Sequence, residues 1–288
     1  MLDSPEAIVP LVVSQRRPLA IARFIGHGPA DESGPVCSVA DRPAAFAALA
    51  ASGGALGWNA LLAERVAAGH GLRGRVLRRE SSPVIEVPAG GWEEYLAGRS
   101  RNLRSQLGRK RRKLEQENGL CFRLADAGSL DDDLALLFRL HEARWGSGGS
   151  GAFRGTRADF HRRFAALALE RGWLRLWVAE ADDQPVAAWY GFRFAGAESY
   201  YQSGRDPAWE RSSIGLVLLA WTMQAAMDDG MREYRLLRGG ETYKDRFATA
   251  DPGVETVALG RGALGRAAVA AGAAAARAPA SLRRRVVS

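Results

Sequence analysis

The chain has 288 residues, and 40 Lys and Arg against 32 Asp and Glu give a formal charge of +8. Its 47% hydrophobic and 25% charged residues are ordinary globular usage and exclude a disordered chain, which needs fewer apolar residues and a larger charge imbalance. Cys37 and Cys121 cannot build a disulfide framework or a four-thiolate zinc site, and His27, His70, His141 and His161 lack metal-ligand spacing, so a cytoplasmic protein without a metal is expected.

The N-terminus MLDSPEAIVP carries Asp3 and Glu6 and no basic lead, unlike a signal peptide. Residues 18–25 read as a strand running into the turn-rich GHGPADESGP, and 41–51 as a helix with Asp41 as its cap. WNALLAERV, RGRVLRR and PVIEVP read as short strands bounded by Gly, Pro or Ser. Residues 92–117 read as one helix with Leu96, Leu103, Leu107 and Leu114 on a single face, eight basic residues between Arg99 and Lys113, and an end at Asn118-Gly119. LCFRLAD is a strand, and 129–145 a helix capped by Ser129. The loop GSGGSG and a helix over 157–171 follow. Strands over 173–181, 184–194 and 198–204 are joined by tight turns at Asp182-Asp183 and Ala195-Gly196. A helix over 213–229, apolar nearly all round, precedes a strand over 233–239. No window reaches the length of a bilayer span, and Ala267 to Ala276 reads as a surface helix or frayed tail. The second half is therefore an α+β domain, a strand meander crossed by helices.

Three segments could carry chemistry. The run Arg211, Ser212, Ser213, Ile214, Gly215 opens an apolar helix, and unpaired amides at a helix start favour a phosphate. The same run also reads as a capped helix with a solvated Arg. LLRGGETYKDRFA presents Glu241, Tyr243 and Lys244 after a Gly-Gly turn, with Tyr243 and Lys244 as proton donors or oxyanion partners when desolvated, or the whole as a polar turn capping the core through Tyr243 and Phe247. The basic helix could meet phosphates, an anionic glycan or RNA, or lie solvated across a domain junction, and the tail LRRRVVS offers weak contact with anionic lipid. Nucleophile-elbow, Walker, dinucleotide and zincin motifs are all missing from the letters. Cys121 reads as a core residue and His141 as a packing or hydrogen-bonding one.

The runs SRNLRSQLGRKRRKLEQENGLCFRL, LFRLHEARW, WLRLWVAEADDQPVAAWYGFRF and YYQSGRDPAWERSSIGLVLLAWTMQAAMDDGMREYRLLRGGETYKDRFA together resemble the GNAT acyltransferases. They look most like the BioF2-like, cellulose-biosynthesis-associated (CelD-type) branch, distantly related to the Fem-type aminoacyltransferases. The resemblance implies tandem GNAT-like units, each a twisted mixed sheet flanked by helices. A degenerate or incomplete unit over 1–91 would lack its first strands and helix. A basic connecting helix over 92–118, the acyltransferase domain over 119–253, and a strand, Ala-rich helix and basic tail over 254–288 would follow. It further implies transfer of an acyl, most simply acetyl, group from acyl-CoA to an amine or hydroxyl of a sugar, polysaccharide precursor or small metabolite, with no metal. The diphosphate would dock at Arg211, Ser212, Ser213, Ile214 and Gly215, joined by Gln202 and Arg205; Arg144, Trp145, Tyr201 and Arg238 would face the acceptor. The family's G-x-x-x-Y-K segment falls on Tyr243 and Lys244, making Tyr243 the acid for the leaving thiolate and Lys244 a support for the transferring acyl group. The family's phosphate loop is kept with one glycine and shifted spacing. The alternatives are a Fem-type transferase using aminoacyl-tRNA, against which the missing coiled-coil run argues, and a non-catalytic binding protein of the same fold.

Overall fold

The computed structural model describes residues 7–145 and 151–277, and every count below concerns those residues. Most of the GSGGSG loop, the N-terminal six residues and the basic tail lie outside them, as do the side chains of Trp145 and Arg277. In chain order the elements are β1 (Leu11–Arg16), β2 (Leu19–Phe24), α1 (Arg42–Ala51), α2 (Gly53–Leu56), β3 (Ala60–Ala67), β4 (Arg75–Glu80), β5 (Val84–Glu86), α3 (Gly91–Ala97) and α4 (Arg101–Asn118). They continue with β6 (Cys121–Leu124), α5 (Leu130–Trp145), α6 (Thr156–Glu170), β7 (Leu174–Ala181), β8 (Gln184–Phe194), β9 (Ala197–Arg205), α7 (Ile214–Asp228), β10 (Glu233–Arg235), α8 (Thr242–Asp245), β11 (Val254–Gly260) and α9 (Gly262–Arg277).

Two compact units result. The first joins the chain up to Ser82 with Arg238–Gly240 and the chain from Asp251 onward; the second holds Pro83–Leu237 and Glu241–Ala250. Each is built on one mixed sheet with helices packed on it, a mixed α+β fold. The first sheet runs β1-β2-β3-β11-β4 and the second β5-β10-β9-β8-β7-β6. Each contains a single parallel pair, β2 with β3 and β10 with β9.

In the first unit, Phe24, Phe46, Leu49, Trp58, Leu61, Val66 and Val257 form the core. The segment from 254 is not a separate C-terminal piece: β11 is hydrogen-bonded between β3 and β4, and α9 packs on it. The outer strand β4 carries Arg75, Arg78 and Arg79, charges that discourage pairing with another sheet edge.

In the second unit the strand alternation sorts the core into two layers. Trp177, Ala179, Ala187 and Trp189 face α3, α4 and α7, whereas Leu176, Val178, Ala188 and Tyr190 face α5 and α6. The expected 92–117 helix is two helices, because Ser100 is extended and its hydroxyl accepts the Leu103 N–H at 3.2 Å, a new N-cap. Leu103, Leu107 and Leu114 of α4 are buried, each contributing about 1.5–3 kcal/mol. Gly119 closes α4 in the left-handed region at φ 58°. The turn residues Asp182 and Asp183 both have positive φ, as a tight right-twisting hairpin needs. β10 ends at Arg235 rather than at 239, because Leu237 turns the chain out of the strand at φ 55°. Cys121 is exposed rather than core, beside Glu180.

Candidate active site

β10 accompanies β9 only as far as Ser199, whereas β9 continues to Arg205. Where the two strands part, a cavity of about 220 Å³ opens, lined by Arg144, Trp189, Tyr200, Ser203, Gly204, Arg205, Gly215, Leu216, Leu218, Leu219 and Tyr243. All of these belong to the second unit.

A bulge in β9 shapes the cavity. Tyr190 pairs with Gln202 but Gly191 with Tyr200, so Tyr201 is an extra residue. Trp189 pairs with Ser203, and residues 189 and 191 of β8 share a face, so the bulge brings Tyr200 and Ser203 onto one face too. Their hydroxyls are 2.5 Å apart. The Trp189 ring stacks on Tyr200 at 5.6 Å, and Gly191 makes room for it: a Cβ there would lie 2.3 Å from Trp189 Cη2.

Two further groups close on this pair. Arg144, from the last turn of α5, donates from Nη1 to Ser203 Oγ at 3.2 Å. Tyr243, in α8, lines the same cavity as Tyr200; burial, followed by the charge field of Tyr200 and Glu241, holds its hydroxyl well above the ordinary phenol range, so it stays protonated at neutral pH.

Lys244 is 4% exposed and does not line the cavity. Its Nζ donates to the Leu237 carbonyl at 3.2 Å and pairs with Glu241 at 2.9 Å. Partial burial would raise the Glu241 carboxyl, but the Lys244 hydrogen bond, its own backbone amide and the Lys244 and Arg144 charges hold it below its ordinary value.

At the start of α7, Ser213 has φ 64°, a left-handed conformation costly for a residue with a Cβ. The amides of Leu216 and Val217 donate to the Ser213 carbonyl, and those of Ser212 and Ser213 close turns onto Trp209 and Glu210. The Ile214 and Gly215 amides have no backbone acceptor among the described residues. The Ser212 hydroxyl is committed to the Trp209 carbonyl at 2.6 Å, and Ile214 is fully buried. Arg211 is exposed, and its carbonyl accepts from Lys110 of α4 at 3.1 Å. Arg205 pairs with Glu210 at 2.8 Å.

The expected residues thus separate. Arg144, Arg205, Gly215 and Tyr243 meet at the cavity. Gln202 lies on the opposite face of β9, where its Oε1 is 3.2 Å from His141 Nε2; burial lowers the His141 pKa and favours the neutral ring. Tyr201 packs among His161, Tyr190 and Phe192 on that same side. Trp145 ends α5, and Arg238 belongs to the first unit, where it pairs with Asp31 at 3.0 Å and Glu80 at 3.5 Å. Trp189, Tyr200 and Ser203 were not singled out by sequence reasoning; only the unusual YYQSG polarity of an otherwise core-like strand hints at them. Among the described residues no cluster of His, Cys, Asp and Glu could hold a metal, and no helix is long and apolar enough to cross a membrane.

Comparison with known proteins gives this site a family. A model of the acetyltransferase (GNAT) domain matches residues 101–245, half of the chain. Curated protein sequences give no match. Among solved structures, the C-terminal DUF2156 domain of an Agrobacterium fabrum protein named for lysylphosphatidylglycerol synthetase is similar at TM-score 0.58 and 16% identity, covering 90% of this chain and 83% of that one. L-PGS from Bacillus licheniformis is similar at 0.57 and 10%, covering 93% and 84%. FemX is similar at 0.58 and 10%, covering 87% and 82%. At these identities the likeness is one of fold. Taken with the family match over the segment that builds the cavity, the chain belongs to the GNAT acetyltransferase family and is an acyltransferase.

Proposed function

We propose that the second unit moves an acyl group, most simply acetyl, from acyl-CoA to an amine or hydroxyl of a sugar, polysaccharide precursor or small metabolite. The observation that carries this reading is the cavity between the free stretch of β9 and the start of α7, with a protonated Tyr243 on its wall. The sequence resemblance to the CelD-type branch favours a glycan-related acceptor.

The residues fit the donor as a substrate. The Ile214 and Gly215 amides and the Arg211 side chain can take the diphosphate, aided by the helix dipole. A Cβ at Gly215 would already touch Arg205 Cδ at 3.5 Å, so the glycine keeps this wall open. Catalysis is then mainly proximity: the thioester is held beside the acceptor, the C–N or C–O bond forms as the C–S bond breaks, Tyr243 protonates the departing sulfur, and the proton that the acceptor loses returns to Tyr243 through solvent. Lys244, tied to Leu237 and Glu241, holds α8 and through it Tyr243, a positioning role in place of direct contact with the acyl group.

Calorimetric titration with CoA, alongside acetyl-CoA turnover over a panel of amines and sugars, tests the reading. Binding with turnover that collapses in Tyr243→Phe supports it; no heat at millimolar CoA together with no turnover overturns it.

One observation favours a second reading. Arg101, Arg109 and Arg112 of α4 are exposed without an ion-pair partner among the described residues, and FemX and the lysylphosphatidylglycerol synthetases share the fold. An aminoacyl-tRNA donor would bind there through phosphates, with affinity falling steeply with salt. No tRNA binding at low salt removes this reading.

A further inference from the structure

Arg205 stands between the cavity and the start of α7. It ends β9, lines the cavity, and lies one strand period beyond Ser203 on the same face. Its side chain crosses the first turn of α7: a Cβ on Gly215 would be 3.5 Å from Arg205 Cδ and 3.7 Å from Nη1. An anion that accepts from the Gly215 amide therefore comes within reach of this guanidinium. An anion of the protein's own is already there. Arg205 Nη2 donates to Glu210 Oε1 at 2.8 Å, while Nε and Nη1 have no acceptor among the described residues. A guanidinium grips a phosphate through two parallel N–H bonds, from Nη1 and Nη2 or from Nε and Nη2. Nη2 belongs to both edges, so a carboxylate held on it competes with a phosphate for either.

The two partners are held unequally. The Arg205 side chain is 24% exposed and that of Glu210 68%. The Glu210 backbone is fixed, its amide donating to the Pro207 carbonyl and its carbonyl accepting from the Ser213 amide, both at 3.1 Å. The loop therefore keeps its shape when the side chain swings away, and the carboxylate regains water at little cost. Arg205 stays charged at any physiological pH, so it exchanges one anion for another.

We propose that Glu210 is a built-in competitor for the donor's diphosphate, holding Arg205 in the ligand-free molecule and giving it up to a phosphate on binding. This rests on the acyl-CoA reading given above. Arg205 is then a donor-binding residue. Glu210 sets how tightly the donor is held and helps the product CoA to leave, because it retakes Arg205 as the phosphate departs.

Glu210→Asp isolates the exchange, since it keeps the charge but is one methylene too short for the 2.8 Å contact. Calorimetry with CoA compares wild type, Glu210→Asp, Glu210→Gln, Arg205→Met and the Arg205→Met/Glu210→Asp double variant. Both Glu210 single variants should bind CoA about two- to fivefold more tightly, the scale of an exposed ion pair, with unchanged melting temperatures. Arg205→Met should bind about tenfold or more weakly, and adding Glu210→Asp to it should change nothing further. Glu210→Asp at wild-type affinity overturns the exchange even where Glu210→Gln is tighter, since the charge then acts only through space. A gain that survives in the Arg205→Met background overturns it too, as does undiminished binding by Arg205→Met alone. Wild type that binds no CoA at millimolar concentration removes the acyl-CoA reading and the exchange with it, whereas wild-type binding without a gain in Glu210→Asp removes the exchange alone.

Discussion

The Lys244 side chain is 5% exposed, yet its ammonium stands 2.9 Å from a Glu241 carboxylate that is 54% exposed. The pair is lopsided: the cation depends on its partners, while the anion can fall back on water. This asymmetry, and the position of both residues at α8, decides what each substitution should do.

Lys244→Met keeps the volume, removes the buried charge and leaves Glu241 free to hydrate, so the fold should survive with a melting temperature within a few degrees of wild type. Turnover should fall about tenfold or more with the KM for acetyl-CoA unchanged, because α8 no longer fixes Tyr243. An unchanged kcat would refute the positioning role. The Glu241 carboxyl is held below its ordinary 4.5, so its contribution is fully present above that value and fades as pH drops through the folded-state pKa. Urea unfolding from pH 6 downward should show this dependence in wild type and less of it in Glu241→Gln.

His161 is buried beside Tyr190 and Phe153, and burial pushes its pKa down from 6.5 to about 4. The folded protein holds the neutral ring, so this stability is complete above pH 6.5 and is lost as pH falls towards 4, by up to about 3 kcal/mol. Urea midpoints at pH 7 and pH 4.5 should differ less in His161→Gln than in wild type. An equal drop in both would show that other groups set the acid limit.

Two glycines near the cavity should respond oppositely to alanine. At Gly204 a Cβ would lie 2.4 Å from the His141 backbone nitrogen, so α5 must lift off β9, at a cost of about 1–3 kcal/mol. Arg144 would move with α5. At Gly215 the nearest atom is a flexible Arg205 carbon at 3.5 Å, so Gly215→Ala should leave the melting temperature unchanged or raise it, while CoA affinity falls. Thermal melts and calorimetry on both variants check the contrast.

Glu198 is fully buried, and burial raises its pKa against the pull of Arg193, which hydrogen-bonds it at 2.6 Å and also reaches Asp229 at 2.8 Å. Arg193→Met would strand the carboxylate and should cost about 3–5 kcal/mol at neutral pH. Because the folded-state pKa lies above the unfolded one, the penalty should shrink on acidification as Glu198 protonates. Chemical unfolding of the variant at pH 7 and pH 5 measures this, and equal losses at both pH values would contradict it.

Local patterns revealed much of the second unit. The β7–β8–β9 meander announces itself through Asp182-Asp183 and Ala195-Gly196, and α7 through its continuous apolar run. Ser203 was hidden because the Tyr201 bulge shifts the alternation by one, so a period-two reading places it on the wrong face. Lys244 was expected at the reacting carbonyl, and spacing along the chain could not show that the nearby Leu237 carbonyl claims its ammonium. β11 escaped assignment to the first sheet because its partners β3 and β4 lie far away in sequence, and non-local pairing leaves no local trace.

That pairing bears on how the chain is made. β3 and β4 leave the ribosome early, but the strand that joins them comes only after the whole acyltransferase segment. The first-synthesised sheet is therefore the last to close. Until it does, β3 offers a bare apolar edge to any neighbouring nascent chain, which makes its wait the period of greatest need for a chaperone.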